Sequence, residues 1–218
     1  MILHDWILSP NCYKVRLLAA LTGQPLTLRA VNVHPGRDHL SDSYLALNPA
    51  GTLPILEDGD LVLGDSAAIL TLLGARAGAG WSGQTPEDTA RIAGWLAFAQ
   101  DLSGSAGQAR AIDMIGAPGS LPEAQARGRA HLRRLEQALA ERALAGGTFL
   151  VGETPSIADI ACFPHVMLAP DGGLSLAPYP AIRLWSRAVR ALPGFIEMPG
   201  IHRLHELSPE PEMETELR

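Results

Sequence analysis

Cysteine and lysine are both scarce in this chain of 218 residues, and long apolar runs are missing altogether. Two cysteines, Cys12 and Cys162, cannot build a disulfide framework, and no His/Cys grouping has the spacing of a zinc site. Lys14 is the only lysine beside sixteen arginines, which a bias of composition accounts for. The formal net charge of −6 argues against a nucleic-acid partner and against an anionic membrane surface. No stretch reaches about eighteen uninterrupted apolar residues, so no spanning helix is expected. Met1-Ile2-Leu3-His4-Asp5-Trp6 has neither a basic region nor a small-residue cleavage site, so no secretory signal is expected. A soluble, cytoplasmic protein is the expectation. What the chain has is apolar material: 47% hydrophobic residues suffice for a core, and the length allows one large domain or two modest ones.

The two parts of the chain differ in texture. Residues 1 to 78 alternate short β-type runs with helical patterns: a strand over Met1 to Leu8, a helix over Cys12 to Leu21 and a strand over Thr27 to Val33. A short helix around His39 to Leu47 comes next. Leu53 to Leu56 and Leu61 to Leu63 then flank the hairpin turn Glu57-Asp58-Gly59-Asp60, and a helix runs from about Asp65 to Arg76. The order βαβαββα predicts a small mixed sheet with helices on its faces. Residues 79–88 read as a linker, and 89–207 as an all-α domain with helices over Ala90 to Gln100, Ala124 to Leu144, Ser156 to Leu168 and Ala181 to Leu192. Gly104, Gly107 and Gly116 predict a bent or broken helix between Gln100 and Ser120. The acidic, proline-containing tail 208–218 reads as disordered.

Four motifs could carry chemistry. Ser9-Pro10-Asn11-Cys12 sits at a strand-to-helix junction, where free N–H groups and the helix dipole favour negative charge. A Cys-x-x-Cys pair there would be redox-active, but here Ser9 replaces the first cysteine, leaving a hydroxyl that suits a thiolate brought in by a substrate. An ordinary capped helix start explains the same residues equally well. Pro54, in Asn48-Pro49-Ala50-Gly51-Thr52-Leu53-Pro54, falls where a strand should begin. A cis Leu53–Pro54 bond would leave the Leu53 N–H and C=O open to a peptide-like ligand, although a plain loop is the simpler alternative. Asp65-Ser66 opens a helix. It fits normal capping, and it also fits an amino-acid end with the ammonium on Asp65 and the carboxylate on Ser66. Ser156-Ile157-Ala158-Asp159, flanked by Pro155 and Ile160 as a staple, reads as a structural capping box.

Taken together and in this order, the motifs resemble the soluble glutathione transferase family over about residues 1–207. The resemblance implies an α/β thioredoxin-like N-terminal domain and an all-α helical C-terminal domain, with glutathione as co-substrate and no metal. It makes Pro54 the cis-proline, pairs the Leu53 backbone with the cysteinyl part of glutathione, counts Thr52 among the glutathione-binding residues, and gives the γ-glutamyl end to Asp65 and Ser66. His39 falls where plant-type members place a histidine on the glycine carboxylate, although the basic neighbour common there is Leu40. The sulfur-contacting group is left open between Ser9, Cys12 and Asn11, in that order. Ser9 matches the serine-type classes. Cysteine-type bacterial members place one more residue before their cysteine, and some bacterial members contact sulfur through an asparagine in this loop. Arg110 and Met114 are candidate walls of an electrophile pocket between the domains, although core packing is the simpler role for either. A homodimer is implied, without the aromatic plug that some classes carry where Ala50 stands. The implied activity is thiolate attack on a small electrophile. The alternatives are a glutathione-dependent disulfide or peroxide reductase or isomerase using Cys12, and a non-catalytic protein-binding scaffold.

Overall fold

The computed structural model describes residues 1–203, so the tail 208–218 and the last residues of the expected helical domain lie outside the described residues. The chain begins with β1 (Ile2–Asp5), α1 (Pro10–Leu21), β2 (Thr27–Ala30), a 3₁₀ turn (Asp38–Leu40), α2 (Asp42–Leu47), β3 (Ile55–Asp58), β4 (Leu61–Leu63) and α3 (Ser66–Ala77). The sheet order is β2-β1-β3-β4, with β2 parallel to β1 and the other neighbours antiparallel. This is the small mixed sheet that the βαβαββα pattern predicts, in the thioredoxin-like arrangement that the resemblance implies. The strands are shorter than the apolar runs. Ser9 N–H turns back to the Trp6 carbonyl at 2.9 Å and ends β1 early. β2 stops where its partner runs out, and β3 starts only after the cis Leu53–Pro54 peptide.

Helices then follow: α4 (Ala79–Ser82), α5 (Pro86–Leu102), α6 (Gln108–Ile115), α7 (Leu121–Leu144), α8 (Ile157–Met167) and α9 (Pro180–Arg190). The stretch 79–88 thus holds α4 and the start of α5. The glycine-rich interval departs from regular α-helix in a π-helical turn at Ser103–Gly107 between α5 and α6. Ser105 Oγ lies 2.6 Å from the Asp101 carbonyl and 2.9 Å from His131 Nδ1, which ties this turn to α7.

The two domains share one core. Cys12 to Ala19 of α1 are buried on every side, because α1 is packed between α3 and α8. Gly74 makes that seam possible: a Cβ at this position would come within 2.6 Å of Ile157 Cγ2. Beneath the seam, the capping box of α8 is a hub. The wholly buried Asp159 accepts from Leu150 N–H (2.9 Å), Ser156 N–H (2.9 Å) and Trp185 Nε1–H (2.8 Å). Burial pushes its carboxyl above the usual range, against these hydrogen bonds, which favour the carboxylate.

Removing Asp159 would leave those donors buried and unpaired. Asp159→Ala is expected to cost about 3 kcal/mol or more, read as a lower urea midpoint at unchanged slope.

Candidate functional site

Strand directions bring the motif loops together. β3 runs antiparallel to β1 with His4 opposite Ile55, so the loop leaving β1 and the loop entering β3 share one edge of the sheet. β4 is antiparallel to β3, with Leu63 opposite Leu56, so α3 also starts from that edge. Ser9, Leu53 and Asp65 therefore belong to three loops at a single sheet edge, where two helices present their N-termini.

Ser9 is the N-cap of α1: its Oγ accepts the Cys12 N–H at 3.2 Å, and Pro10 supplies the first helical position. An oxygen that accepts at a cap keeps its own proton to donate. The loop before it is held by its carbonyls. Arg16 Nη2 donates to Ile7 C=O at 3.1 Å, and the same guanidinium makes a buried ion pair with Asp5 at 3.1 Å. Arg110 Nη1, from α6, donates to Leu8 C=O at 3.0 Å while its Nε is bonded to Asp171 at 2.9 Å. Arg110 is therefore no open pocket wall: it is buried, and its charge is committed to the loop and to Asp171. Met114, one turn further along α6, is exposed.

Cys12 is fully buried, with its thiol near the His4 carbonyl at 4.0 Å. Burial pushes this thiol up to about 12, against weaker opposing effects of the Ser9 and Trp6 hydrogen bonds. A thiol so placed is almost entirely protonated at neutral pH and is shielded from attack. Asn11 is half-buried, and its Oδ1 lies 3.1 Å from Nε2 of His165 on α8.

The loop before β3 is shaped by Asn48. Its Nδ2 donates to the Thr52 carbonyl and Oγ1, both at 3.0 Å, and Tyr44 O–H adds a bond to the same carbonyl at 2.9 Å. Both Thr52 groups are thus engaged inside the loop. The neighbouring Leu53 N–H and C=O have no partner among the described residues. Asn48 also abuts Gly64, where a Cβ would stand 3.1 Å from its side chain, so one amide organises two of the three loops.

At α3, Asp65 Oδ1 accepts from the Ala67 and Ala68 N–H groups, each at 2.9 Å. Its second oxygen and the Ser66 N–H and hydroxyl have no partner among the described residues. His39 sits in the 3₁₀ turn, and its Nδ1 is shielded and likewise unpaired among the described residues.

Two residues at this site escaped the sequence reading. His165 is an unremarkable position in an apolar helix, and no local pattern singles it out. Lys14 did stand out, as the lone lysine. The structure buries it in the seam, within electrostatic reach of Cys162, Asp65 and Cys12, with no hydrogen bond or ion pair among the described residues. Desolvation brings its ammonium down to about 8. Among the described residues, no cluster of His, Cys, Asp or Glu could hold a metal ion, and no helix is long and apolar enough to cross a membrane.

Comparison with known proteins agrees with this geometry. The family model for the glutathione S-transferase N-terminal domain matches residues 3–81, and that for the C-terminal domain matches residues 118–188. The chain is 31% identical over 194 residues to the disulfide-bond oxidoreductase YfcG of Escherichia coli, covering 85% of this chain and 88% of that protein. Bovine glutathione S-transferase theta-1 is 29% identical over 208 residues, covering 91% of this chain and 85% of the relative. The crystal structure of a glutathione S-transferase from Pseudomonas fluorescens superposes with a TM-score of 0.81 at 31% identity, covering 90% of this chain and 98% of that one.

A charged Lys14 in so dry a place costs stability, by about 3 kcal/mol for the depression described. Because the folded state releases this proton before the unfolded state does, the cost is full below about pH 8 and fades as pH rises towards about 10.5. Lys14→Met is therefore expected to be more stable than the parent at neutral pH, with the difference shrinking across that window in urea titrations.

Proposed function

The chain belongs to the glutathione S-transferase family, and from that premise we propose that it binds glutathione, stabilises its thiolate and directs it at a small electrophile. The observation that carries this reading is the Ser9 hydroxyl, placed as the N-cap of α1 at the sheet edge. A free thiol titrates near about 8.5. A donor aimed at sulfur and the positive end of α1 both favour the anion, so the proton leaves to solvent and the sulfur lone pair attacks carbon. The new C–S bond forms as a leaving group departs or as a double bond takes the charge.

The rest of the tripeptide has fitting partners. The unpaired Leu53 N–H and C=O suit the cysteinyl backbone in the manner of an added strand, with Pro54 beside them. The spare oxygen of Asp65 suits the γ-glutamyl ammonium. The Ser66 N–H and hydroxyl, at a helix N-terminus, suit its carboxylate. His39 suits the glycine carboxylate. Thr52 serves this scheme through loop shape, since its polar groups are engaged with Asn48 and Tyr44. Met114, exposed on α6, is the remaining candidate for the electrophile side. A homodimer belongs to the reading: Leu61 and Val62 leave an apolar edge on β4, about two-fifths exposed.

A reductase or isomerase that uses Cys12 has less support, because the thiol is fully buried and its anion disfavoured. A non-catalytic scaffold leaves the unspent polar groups of Ser9, Asp65 and Ser66 without a purpose.

Ser9→Ala is expected to raise the pKa of bound glutathione by about one to two pH units and to lower kcat/KM for a model electrophile by about 10- to 100-fold at neutral pH. Cys12→Ala should stay within a few-fold of the parent. The opposite pattern, with turnover lost in Cys12→Ala and kept in Ser9→Ala, would overturn the serine assignment. Asp65→Ala is expected to weaken retention on immobilised glutathione by about 10-fold or more while leaving the thiol pKa of bound glutathione in place.

A further inference from the structure

His165 is one of the most enclosed polar side chains in the described chain, and it touches the sheet-edge site through a single group. Its ring lies on α8 and is 2% exposed, with Nε2 at 3.1 Å from Asn11 Oδ1. Nδ1 is buried and has no hydrogen-bond partner among the described residues. On that side the π-helical turn presses Gly107 against the ring, so closely that a Cβ there would stand 3.0 Å from Nδ1.

Burial, together with the charges of Lys14 and Arg110, holds the imidazole well below its ordinary pKa, so the ring is neutral and carries one N–H. If that proton sat on Nδ1, a buried donor would go unpaired. On Nε2 it donates to Asn11 Oδ1 and leaves only a lone pair unsatisfied, which is the smaller penalty. The tautomer fixes the neighbouring amide in turn. With Oδ1 engaged by His165, the Asn11 Nδ2 donors face the other way, where no residue among those described pairs with them. A freely turning amide would offer its oxygen to that side half the time, and an acceptor repels a thiolate.

We propose that His165 is a positioning residue: it locks the amide of Asn11 so that the Nδ2 hydrogens, rather than Oδ1, are presented to the sulfur of bound glutathione. Ser9 and Asn11 then form a pair of donors on one turn of helix, and the helical domain sets the orientation of the second. Gly107 belongs to the same device: a Cβ there would stand 3.0 Å from Nδ1, tight enough to push on the ring. The inference rests on the reading that the sulfur settles at the first turn of α1.

The test is a pH titration of the ultraviolet absorbance of bound thiolate in the full-length protein. Asn11→Ala and His165→Phe are each expected to raise the thiol pKa by about half to one pH unit, and the double variant by no more than Asn11→Ala does. His165→Gln, which keeps an N–H donor, should recover part of the loss. If His165→Phe does not fold, Gly107→Ala takes its place. Its added methyl displaces the ring, so it should raise the pKa in the parent and not in the Asn11→Ala background. A thiol pKa that moves in Asn11→Ala but in neither His165→Phe nor Gly107→Ala overturns the positioning role, as does full additivity in the double variant. If Asn11→Ala has no effect while Ser9→Ala does, this inference fails and the proposed function stands. If Ser9→Ala has no effect either, the proposed function itself fails.

Discussion

The first turn of α1 depends on side chains that come from the other domain. A strand-to-helix loop of four residues has few contacts of its own. Its carbonyls must be satisfied, or the turn will move and carry the Ser9 hydroxyl with it. Arg110 from α6 takes Leu8 C=O, His165 from α8 takes Asn11 Oδ1, and Arg16, itself paired with Asp5, takes Ile7 C=O. Each of these donors is buried, so each bond acts in a low dielectric where a charged or polar group left unpaired is costly. The sheet supplies direction, and the helical domain supplies precision. Preorganised donors are effective because no further ordering is needed when charge develops beside them.

The seam on which the turn rests also carries costly features. A lysine is buried where an apolar residue would be cheaper, and α1 has no solvent face from Cys12 to Ala19. α1 is held between α3 and α8, and Gly74 lets α3 approach α8 closely enough to close the core. Asp159 fixes the start of α8 by gathering backbone and indole donors, and it thereby sets where His165, six residues further along the helix, meets Asn11. The contacts that hold Asn11 thus reach into the centre of the helical domain.

Much of the fold was legible because it is written in local signals. Apolar alternation, the turn at Gly59 and the caps Ser9, Asp65 and Ser156 each fix an element through short-range physics, and all three caps make the expected bonds. The interruption of the helix at Gly104 to Gly107 was signalled by helix propensity, while the conflict between proline and a strand marked Pro54 without choosing between an edge strand, a loop and the cis bond that is found. Long-range pairings were not legible. Nothing near residue 110 indicates that its guanidinium will meet the carbonyl of residue 8, so Arg110 read as a pocket wall. His165 lies 154 positions along the chain from Asn11, and the two meet only once α8 is laid against α1. Cys12 entered as a candidate through the resemblance to cysteine-type members, a likeness of local sequence that is blind to burial. Full burial disfavours its anion, and burial is a property of the packed domains together.

The most direct test of the central claim is a crystal structure of the protein with glutathione bound. The account predicts the sulfur within hydrogen-bond reach of Ser9 Oγ at the first turn of α1, with the tripeptide backbone lying along Leu53. A sulfur found away from that turn, or a tripeptide seated elsewhere on the molecule, would contradict it.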